Sequence, residues 1–309
     1  MSEKILVVHQ GALGDVILSL PALQSLKEER NASVALLCQG QVGRMAQESG
    51  VVDAHFPVES ARFCGLFSRH MDHNVRDFVG AYETVLLIGF SQELEGTIKG
   101  HYGGAVYRIP PRPPLEEETH VALHLASQLQ RKGLLRNRES AMAPRTSCLA
   151  CPAKELDKDG GGKEMILIHP GAGSRRKRWP LENFMAVAAA TSKMPFAEVA
   201  FVMGPAEADL LPVALKQAGG KYPVHQLEDL SRVTALMNTS KCFLGNDSGL
   251  THLAAFKGLP TVSVFGPSDP KRWRPVGEDT TVLRGEADCI PCFELARKNC
   301  DNPQCLHGV

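Results

Sequence analysis

Near its start the chain reads Lys4-Ile5-Leu6-Val7-Val8-His9-Gln10-Gly11-Ala12-Leu13-Gly14-Asp15, and this stretch decides the fold. Ile5 to Val8 is a short β-branched run that reads as a buried strand, and Gly11-Ala12-Leu13-Gly14 supplies the turn that follows it. Val16, Leu20, Leu23 and Leu26 then recur at helical spacing. Pro21 falls inside that pattern and predicts a kink, or a helix in two pieces. Ser33 to Leu37 is the next strand, so the first forty residues form two parallel strands joined by a helix.

Outward from this unit the alternation continues. Strands are expected at Thr84 to Ile88 and Ala105 to Tyr107, and a helix from Thr119 to about Lys132. The second half repeats the theme with strands at Met165 to Ile168, Glu198 to Met203, Lys241 to Leu244 and Thr261 to Phe265. Between the halves, Pro144 to Gly162 combines proline, a charged stretch and Gly160-Gly161-Gly162, a composition that builds no core. The expected organisation is therefore α/β throughout: two Rossmann-like doubly wound domains, residues 1–150 and 163–309, facing a central cleft. Ligands in such folds sit at the carboxyl ends of the strands.

Composition narrows the partners. The 309 residues carry 34 Lys plus Arg against 34 Asp plus Glu, and 43% are apolar. That balance removes the global electrostatic argument for nucleic acid. No window approaches the roughly 18 apolar residues of a membrane span. The chain enters its first strand without a charged leader or h-region, and nine cysteines is an odd number in a long chain. A cytoplasmic protein with reduced thiols is the expectation.

Three loops carry chemistry. The first is Gly11-Ala12-Leu13-Gly14-Asp15, where glycines let a ligand approach the backbone at a helix N-terminus. It lacks the G-x-G-x-x-G of dinucleotide oxidoreductases, and Cys38-Gln39 stands where an acidic residue would hold ribose. Asp15 is either a first-turn carboxylate favoured by the helix dipole or a general base. The second loop is His169-Pro170-Gly171-Ala172-Gly173-Ser174-Arg175-Arg176-Lys177-Arg178-Trp179-Pro180, in which small residues, a hydroxyl and four cations offer a place for a diphosphate. No Walker sequence occurs. The third is Gly245-Asn246-Asp247-Ser248-Gly249-Leu250-Thr251-His252, a strand end followed by Asn246 and Asp247 as suitable N-caps and a helix start at Ser248 to Leu250. His252 lies one turn into that helix, where it is either a packed histidine or a ligand contact.

Taken in order, G-x-x-G-D, H-P-G-A-G-S-x-x-K-x-W-P and N-D-S-G-L-x-H-L-A-A followed by F-G-P-S-D-P resemble the heptosyltransferases of lipopolysaccharide core synthesis, glycosyltransferase family 9. The resemblance runs from Lys4 to about Pro270. It implies the GT-B architecture, with a lipid-linked acceptor on the first domain and ADP-heptose on the second. It implies an inverting, metal-independent transfer of heptose to the lipopolysaccharide inner core, with no cofactor beyond the donor substrate. Asp15 is then the base, and Gly11 and Gly14 lie on the acceptor side. Ser174 and Lys177 are diphosphate contacts, Asp247, Ser248 and Gly249 belong to the sugar and phosphate pocket, and Gly173 and His252, the latter matching the family histidine of its motif, are also donor-binding. Gly204 and Glu207 occupy the turn where relatives place an acidic residue near the nucleoside. Rival readings are a GT-B enzyme acting on another nucleotide sugar, as transferase or epimerase, and a non-catalytic sugar-nucleotide-binding protein.

Three further features stand outside these loops. From Ala61 to Val79, Phe63, Phe67, Met71, Val75 and Phe78 fall on one helical face, and Arg62, Arg69, His73 and Arg76 on the other. That basic face is either solvated or a contact for a phosphorylated lipid acceptor and the inner face of a membrane. His120 and His124 have metal-compatible spacing but no accompanying carboxylate motif, and they are expected to hold no metal. Cys289-x-x-Cys292, Cys300 and Cys305 form a cysteine-rich tail that leaves three possibilities open: a thiolate zinc knot, two disulfides or free thiols.

Overall fold

The computed structural model describes residues 2–68, 71–139, 142, 163–287, 289, 291–295, 300 and 303–309. The chain divides into two compact units, Met1–Ala143 and Pro144–Val309. The glycine-rich segment Pro144 to Gly162, with its Asp157-x-Asp159, lies outside the described residues.

The first unit alternates β1 (Lys4–His9), α1 (Leu13–Arg30), β2 (Ser33–Cys38), α2 (Gly40–Glu48), β3 (Ala54–Pro57), α3 (His73–Gly80), β4 (Thr84–Ile88), α4 (Gln92–His101), β5 (Ala105–Ile109) and α5 (Val121–Arg131). Its five-stranded sheet has the order β3-β2-β1-β4-β5. Every pairing is parallel, with Ile5 of β1 opposite both Val34 and Thr84. Ile5, Leu6 and Val7 are wholly buried, as expected of a central strand covered on both faces. Strand order reverses between β1 and β4, which places a crevice at their carboxyl ends.

Pro21 does not divide α1, which runs unbroken from Leu13 to Arg30. The proline removes the backbone bond to Ile17 and costs about 3 kcal/mol in a helix interior. Val16, Leu20, Leu23 and Leu26 are fully buried around it. At roughly 1.5–3 kcal/mol each, their burial outweighs the loss.

The single amphipathic helix expected over Ala61 to Val79 does not form. Ala61–Phe67 is a 3-10 segment, and α3 begins only at His73 because Asp72 caps it, its Oδ1 accepting the Val75 N–H at 3.0 Å. Phe63, Met71, Val75 and Phe78 still enter one core, but Phe67 is exposed. Arg62 therefore stands on the 3-10 segment while His73 and Arg76 stand on α3, and they do not form one continuous helical face. The Arg62 guanidinium lies over the rings of Phe63 and Phe78, 5.5 and 5.0 Å from their centroids. Arg76 lines a hollow with Gly80, Glu83 and Gly103, at the amino ends of β4 and β5 and so on the rim opposite Asp15. Arg69 lies outside the described residues.

The second unit runs β6 (Glu164–His169), α6 (Leu181–Thr191), β7 (Ala197–Met203), α7 (Leu211–Ala218), β8 (Val224–Gln226), α8 (Leu230–Thr239), β9 (Ser240–Asn246), α9 (Gly249–Phe256), β10 (Thr261–Phe265), α10 (Pro270–Trp273), β11 (Thr280–Arg284) and α11 (Gln304–His307). Its sheet is six-stranded and parallel, in the order β11-β10-β9-β6-β7-β8. The reversal falls between β6 and β9, the strands that feed the second and third loops. Among the described residues no helix is long and apolar enough to cross a membrane.

Candidate functional site

In the first unit the crevice is built around His9, the last residue of β1. Its ring is buried, and Nδ1 accepts the Gly11 N–H at 3.0 Å. Burial pushes the imidazole pKa down to about 4, so at neutral pH His9 is an uncharged acceptor. Gly11 has to be glycine: a Cβ there would lie 2.6 Å from His9 Cε1 and 2.7 Å from the Asp15 Cβ. Asp15, in the first turn of α1, accepts the Ala12 N–H on Oδ2 at 3.1 Å. This bond stabilises the helix start through one of the two carboxylate oxygens. Gly14 lies in the same turn.

The second unit holds the denser network. Asn246, wholly buried at the end of β9, ties the second loop to the third. Its Nδ2 donates to the carbonyls of Pro170 and Gly171 at 2.9 and 3.1 Å, and its Oδ1 accepts the Trp179 N–H at 2.8 Å. The cap of α9 is neither Asn246 nor Asp247, as the sequence suggested, but Ser248, whose Oγ accepts the Thr251 N–H at 3.3 Å. That arrangement releases Asp247 from local duty. Its carboxylate pairs with Lys177 Nζ at 2.7 Å and stands 3.6 Å from His252 Nε2. Burial alone would raise the Asp247 pKa, but the His252 hydrogen bond and the Lys177 charge overcome it and hold the group well below the usual carboxylate range.

Around this pair, Ser174 is half-buried at the start of the 3-10 turn Arg175–Lys177, and its hydroxyl caps nothing. Gly173 faces open space, whereas Gly171 is packed so closely that a Cβ would lie 2.2 Å from Glu207 Cδ. Glu207 is buried, and its Oε2 accepts the Gly204 N–H at 2.9 Å. His252 Nδ1 and Trp179 Nε1 are buried without a partner among the described residues. Native proteins seldom leave such atoms unpaired, and a ligand can satisfy them. Gly249 starts α9, so its peptide belongs to the first turn, where helix amides are open to an anion.

The structure thus gathers Ser174, Lys177, Asp247 and His252 at the β6/β9 crevice and keeps Asp15 with Gly11 and Gly14 at the β1/β4 crevice. It also shows residues that the sequence did not single out. The cross-brace of Asn246 was masked by its fitness as a cap. The Lys177 ammonium lies 4.2 Å from the centroid of Phe293, a contact between residues with no local signal. A cavity of about 740 Å³ on the first unit is lined by Phe90, Arg112, Leu115, Arg131 and Arg138. Phe90 and Pro110 follow β4 and β5, which puts it on the same rim as Asp15. His120 caps α5, accepting the Ala122 N–H at 3.2 Å.

Comparison with known proteins identifies the chain's relatives. The model of glycosyltransferase family 9 (heptosyltransferase) matches residues 124–301, more than half of the chain. Lipopolysaccharide heptosyltransferase 3 of Escherichia coli is 33% identical over 126 residues, 40% of this chain and 37% of that protein. The chain's matches therefore span less than half the length of the curated relatives. A glycosyl transferase family 9 structure from Veillonella parvula superposes with a TM-score of 0.77 at 19% identity, over 100% of this chain and 94% of the other. The E. coli heptosyltransferase WaaC with ADP does so with a TM-score of 0.69 at 17% identity, over 92% and 93%. These likenesses establish the fold, two Rossmann-like doubly wound domains of the GT-B type. The chain belongs to glycosyltransferase family 9, the heptosyltransferase family.

Proposed function

We propose that the protein is an inverting glycosyltransferase that moves heptose from ADP-heptose to the inner core of a lipopolysaccharide precursor. The observation that carries this reading is the Lys177–Asp247–His252 network beside the Ser174 hydroxyl, at the strand-order reversal of the second unit. It offers cationic, hydroxyl and amide donors to a diphosphate where doubly wound folds bind nucleotides. Family membership and the ADP of the E. coli neighbour support the choice of donor.

In the proposed reaction the acceptor hydroxyl oxygen attacks the anomeric carbon and its proton passes to Asp15 Oδ1. The bond from that carbon to the phosphate oxygen breaks, its electron pair stays on the diphosphate, and ADP leaves from the opposite face. Lys177, Ser174 and the first-turn amides of α9 at Gly249 stabilise the growing charge, while Asp247 and His252 hold the ammonium in place. Gly173 gives the phosphates room, and Glu207, with Gly204, shapes the nucleoside end. The lipid-linked acceptor lies on the first unit, at the inner face of the membrane in the cytoplasm. Its anionic groups meet the Arg112, Arg131 and Arg138 cavity rather than Arg76, which lies on the far rim.

The test is transfer by the purified chain from a panel of nucleotide sugars to heptose-deficient lipopolysaccharide precursor, with product mass and ADP release as readouts. ADP-heptose should be the preferred donor. Asp15→Asn should lower kcat by about 10² to 10⁴ and leave ADP affinity unchanged. ADP-heptose binding without transfer to any acceptor would return the protein to the binding-protein reading.

A further inference from the structure

The cysteine-rich tail converges on the second unit. Cys289, Cys292, Cys300 and Cys305 all line one cavity of about 150 Å³, together with Arg176, Arg178 and Arg284. None of the four is in a disulfide. The backbone holds the knuckle to the sheet: the N–H groups of Cys292 and Phe293 both donate to the Pro267 carbonyl at 2.9 Å, and Gly285 N–H donates to the Cys305 carbonyl at 3.0 Å. Leu306 packs against Gly266, where a Cβ would lie 2.6 Å from its Cγ. Arg272 pairs with Glu294 at 2.9 Å.

Charge decides what the cavity is for. Arg176 Nη2 donates to Cys292 Sγ at 3.4 Å. Arg176 Nε, Arg178 Nε and Arg284 Nη2 are buried without a partner among the described residues. Arg178 is already paired with Asp209 at 2.9 Å, but the guanidiniums of Arg176 and Arg284 around neutral thiols leave N–H donors and positive charge poorly compensated, which is costly. Four thiolates around a divalent cation carry a net charge of minus two and accept N–H···S bonds, so they supply the missing counter-charge. A cation is the simplest way to hold four such sulfurs together as thiolates.

We propose that Cys289, Cys292, Cys300 and Cys305 form a tetrahedral thiolate site for zinc or iron(II), with Arg176 and Arg284 as its outer hydrogen-bond donors. Among the described residues no three side chains already stand in a metal-holding arrangement. Uptake therefore turns the exposed Cys289 and Cys300 inward towards the buried Cys305 and half-buried Cys292. Each cysteine loses its proton to solvent as its sulfur–metal bond forms in place of a metal–water bond, and the metal keeps its oxidation state. The site is separate from the β6/β9 crevice but joined to it, because the knuckle presents Phe293 to Lys177. It fastens the tail against the loop that carries the lysine.

The experiment is metal analysis of the full chain purified without chelator and under reducing conditions. The expected result is stoichiometric zinc or iron, the identity separating the two ions. Cobalt replacement should give thiolate charge-transfer bands and the strong ligand-field bands of a tetrahedral site. Cys300→Ser, at an exposed position, should lose the stoichiometric ion, while Cys64→Ser, exposed elsewhere, keeps it. Arg284→Gln should weaken metal affinity by about 10- to 100-fold. Chelation should lower Tm and expose thiols to a maleimide, and added zinc should reverse both. Metal-free protein with all four thiols reactive in the native state would overturn the proposal, as would disulfides in the mass spectrum or an octahedral cobalt spectrum.

Discussion

Removing Lys177 should destabilise the second unit far more than an ordinary surface lysine would, and the loss should come almost entirely from Asp247. The ammonium is 2.7 Å from the carboxylate, and their side chains are 17% and 3% exposed. Surface pairs contribute about 0–1 kcal/mol, whereas taking one partner from a buried pair costs about 3–5 kcal/mol because the other charge is stranded. Lys177 is slightly exposed, so we expect a loss of about 3 kcal/mol for Lys177→Met. In Lys177→Met/Asp247→Asn the stranded charge is gone, and most of that loss should return, giving a coupling of at least about 1.5 kcal/mol. The folded Asp247 pKa is depressed, so its stabilisation is present above the unfolded carboxylate value and is lost as pH falls through the folded value. Lys177→Met raises the folded value and moves that loss to higher pH. Urea unfolding followed by tryptophan fluorescence isolates the effect, since both tryptophans, Trp179 and Trp273, lie in this unit. Additive single and double variants, or a Lys177→Met protein as stable as wild type, would refute a buried, charge-dependent pair.

The close contact of Gly171 with Glu207 predicts that Gly171→Ala costs about 2 kcal/mol or more, because the new Cβ meets a buried carboxylate; thermal melts that match wild type would contradict it. His9 takes up a proton only near pH 4 in the folded state but near 6.5 when unfolded, so its share of stability is full above 6.5 and falls by up to about 3 kcal/mol as pH drops to 4. His9→Gln should flatten that part of the profile, measured by hydrogen exchange in β1. Replacing Arg112 and Arg131 together should raise KM for the lipid acceptor several-fold, most strongly at low salt, whereas Arg76→Ala should leave it unchanged; equal effects of the two changes in acceptor kinetics would remove the rim argument.

The parts of this structure that could be read from the sequence are those encoded by local period. Ser33 to Leu37, Thr84 to Ile88 and Thr261 to Phe265 are apolar runs flanked by turn residues, and each lies in a strand. The short edge strands Ala54–Pro57, Val224–Gln226 and Thr280–Arg284 carry no such run, since an edge is half solvated, and they went unread. The Ala61 to Val79 pattern misled for a related reason. Its apolar spacing satisfies one core whether or not the helix is continuous, and the stronger local signal was Asp72, a cap in the middle of the run. At the site, glycines and cations marked the loops because anion binding needs them in any context. Their pairing was hidden: that Asn246 braces Pro170 and that Lys177 meets Asp247 depends on β6 and β9 being neighbours, which is a property of strand order.

The same topology, used twice, puts two carboxylates in opposite surroundings. Asp247 is buried beside an ammonium and an imidazole, and its depressed pKa makes it a poor proton acceptor; it is suited to hold a lysine in position. Asp15 has no ion pair of this kind among the described residues. Its neighbours are the neutral ring of His9 below Gly11 and the Ala12 N–H on one oxygen. A base must release the charge it holds when a proton arrives, so a carboxylate anchored by one peptide hydrogen bond is better placed for that step than one locked in an ion pair. Under the proposed reaction the proton therefore goes to the first unit and the leaving-group charge to the second. The neutrality of His9 matters here as much as the charge of Lys177: a protonated imidazole beside Asp15 would pair with it and remove its basicity.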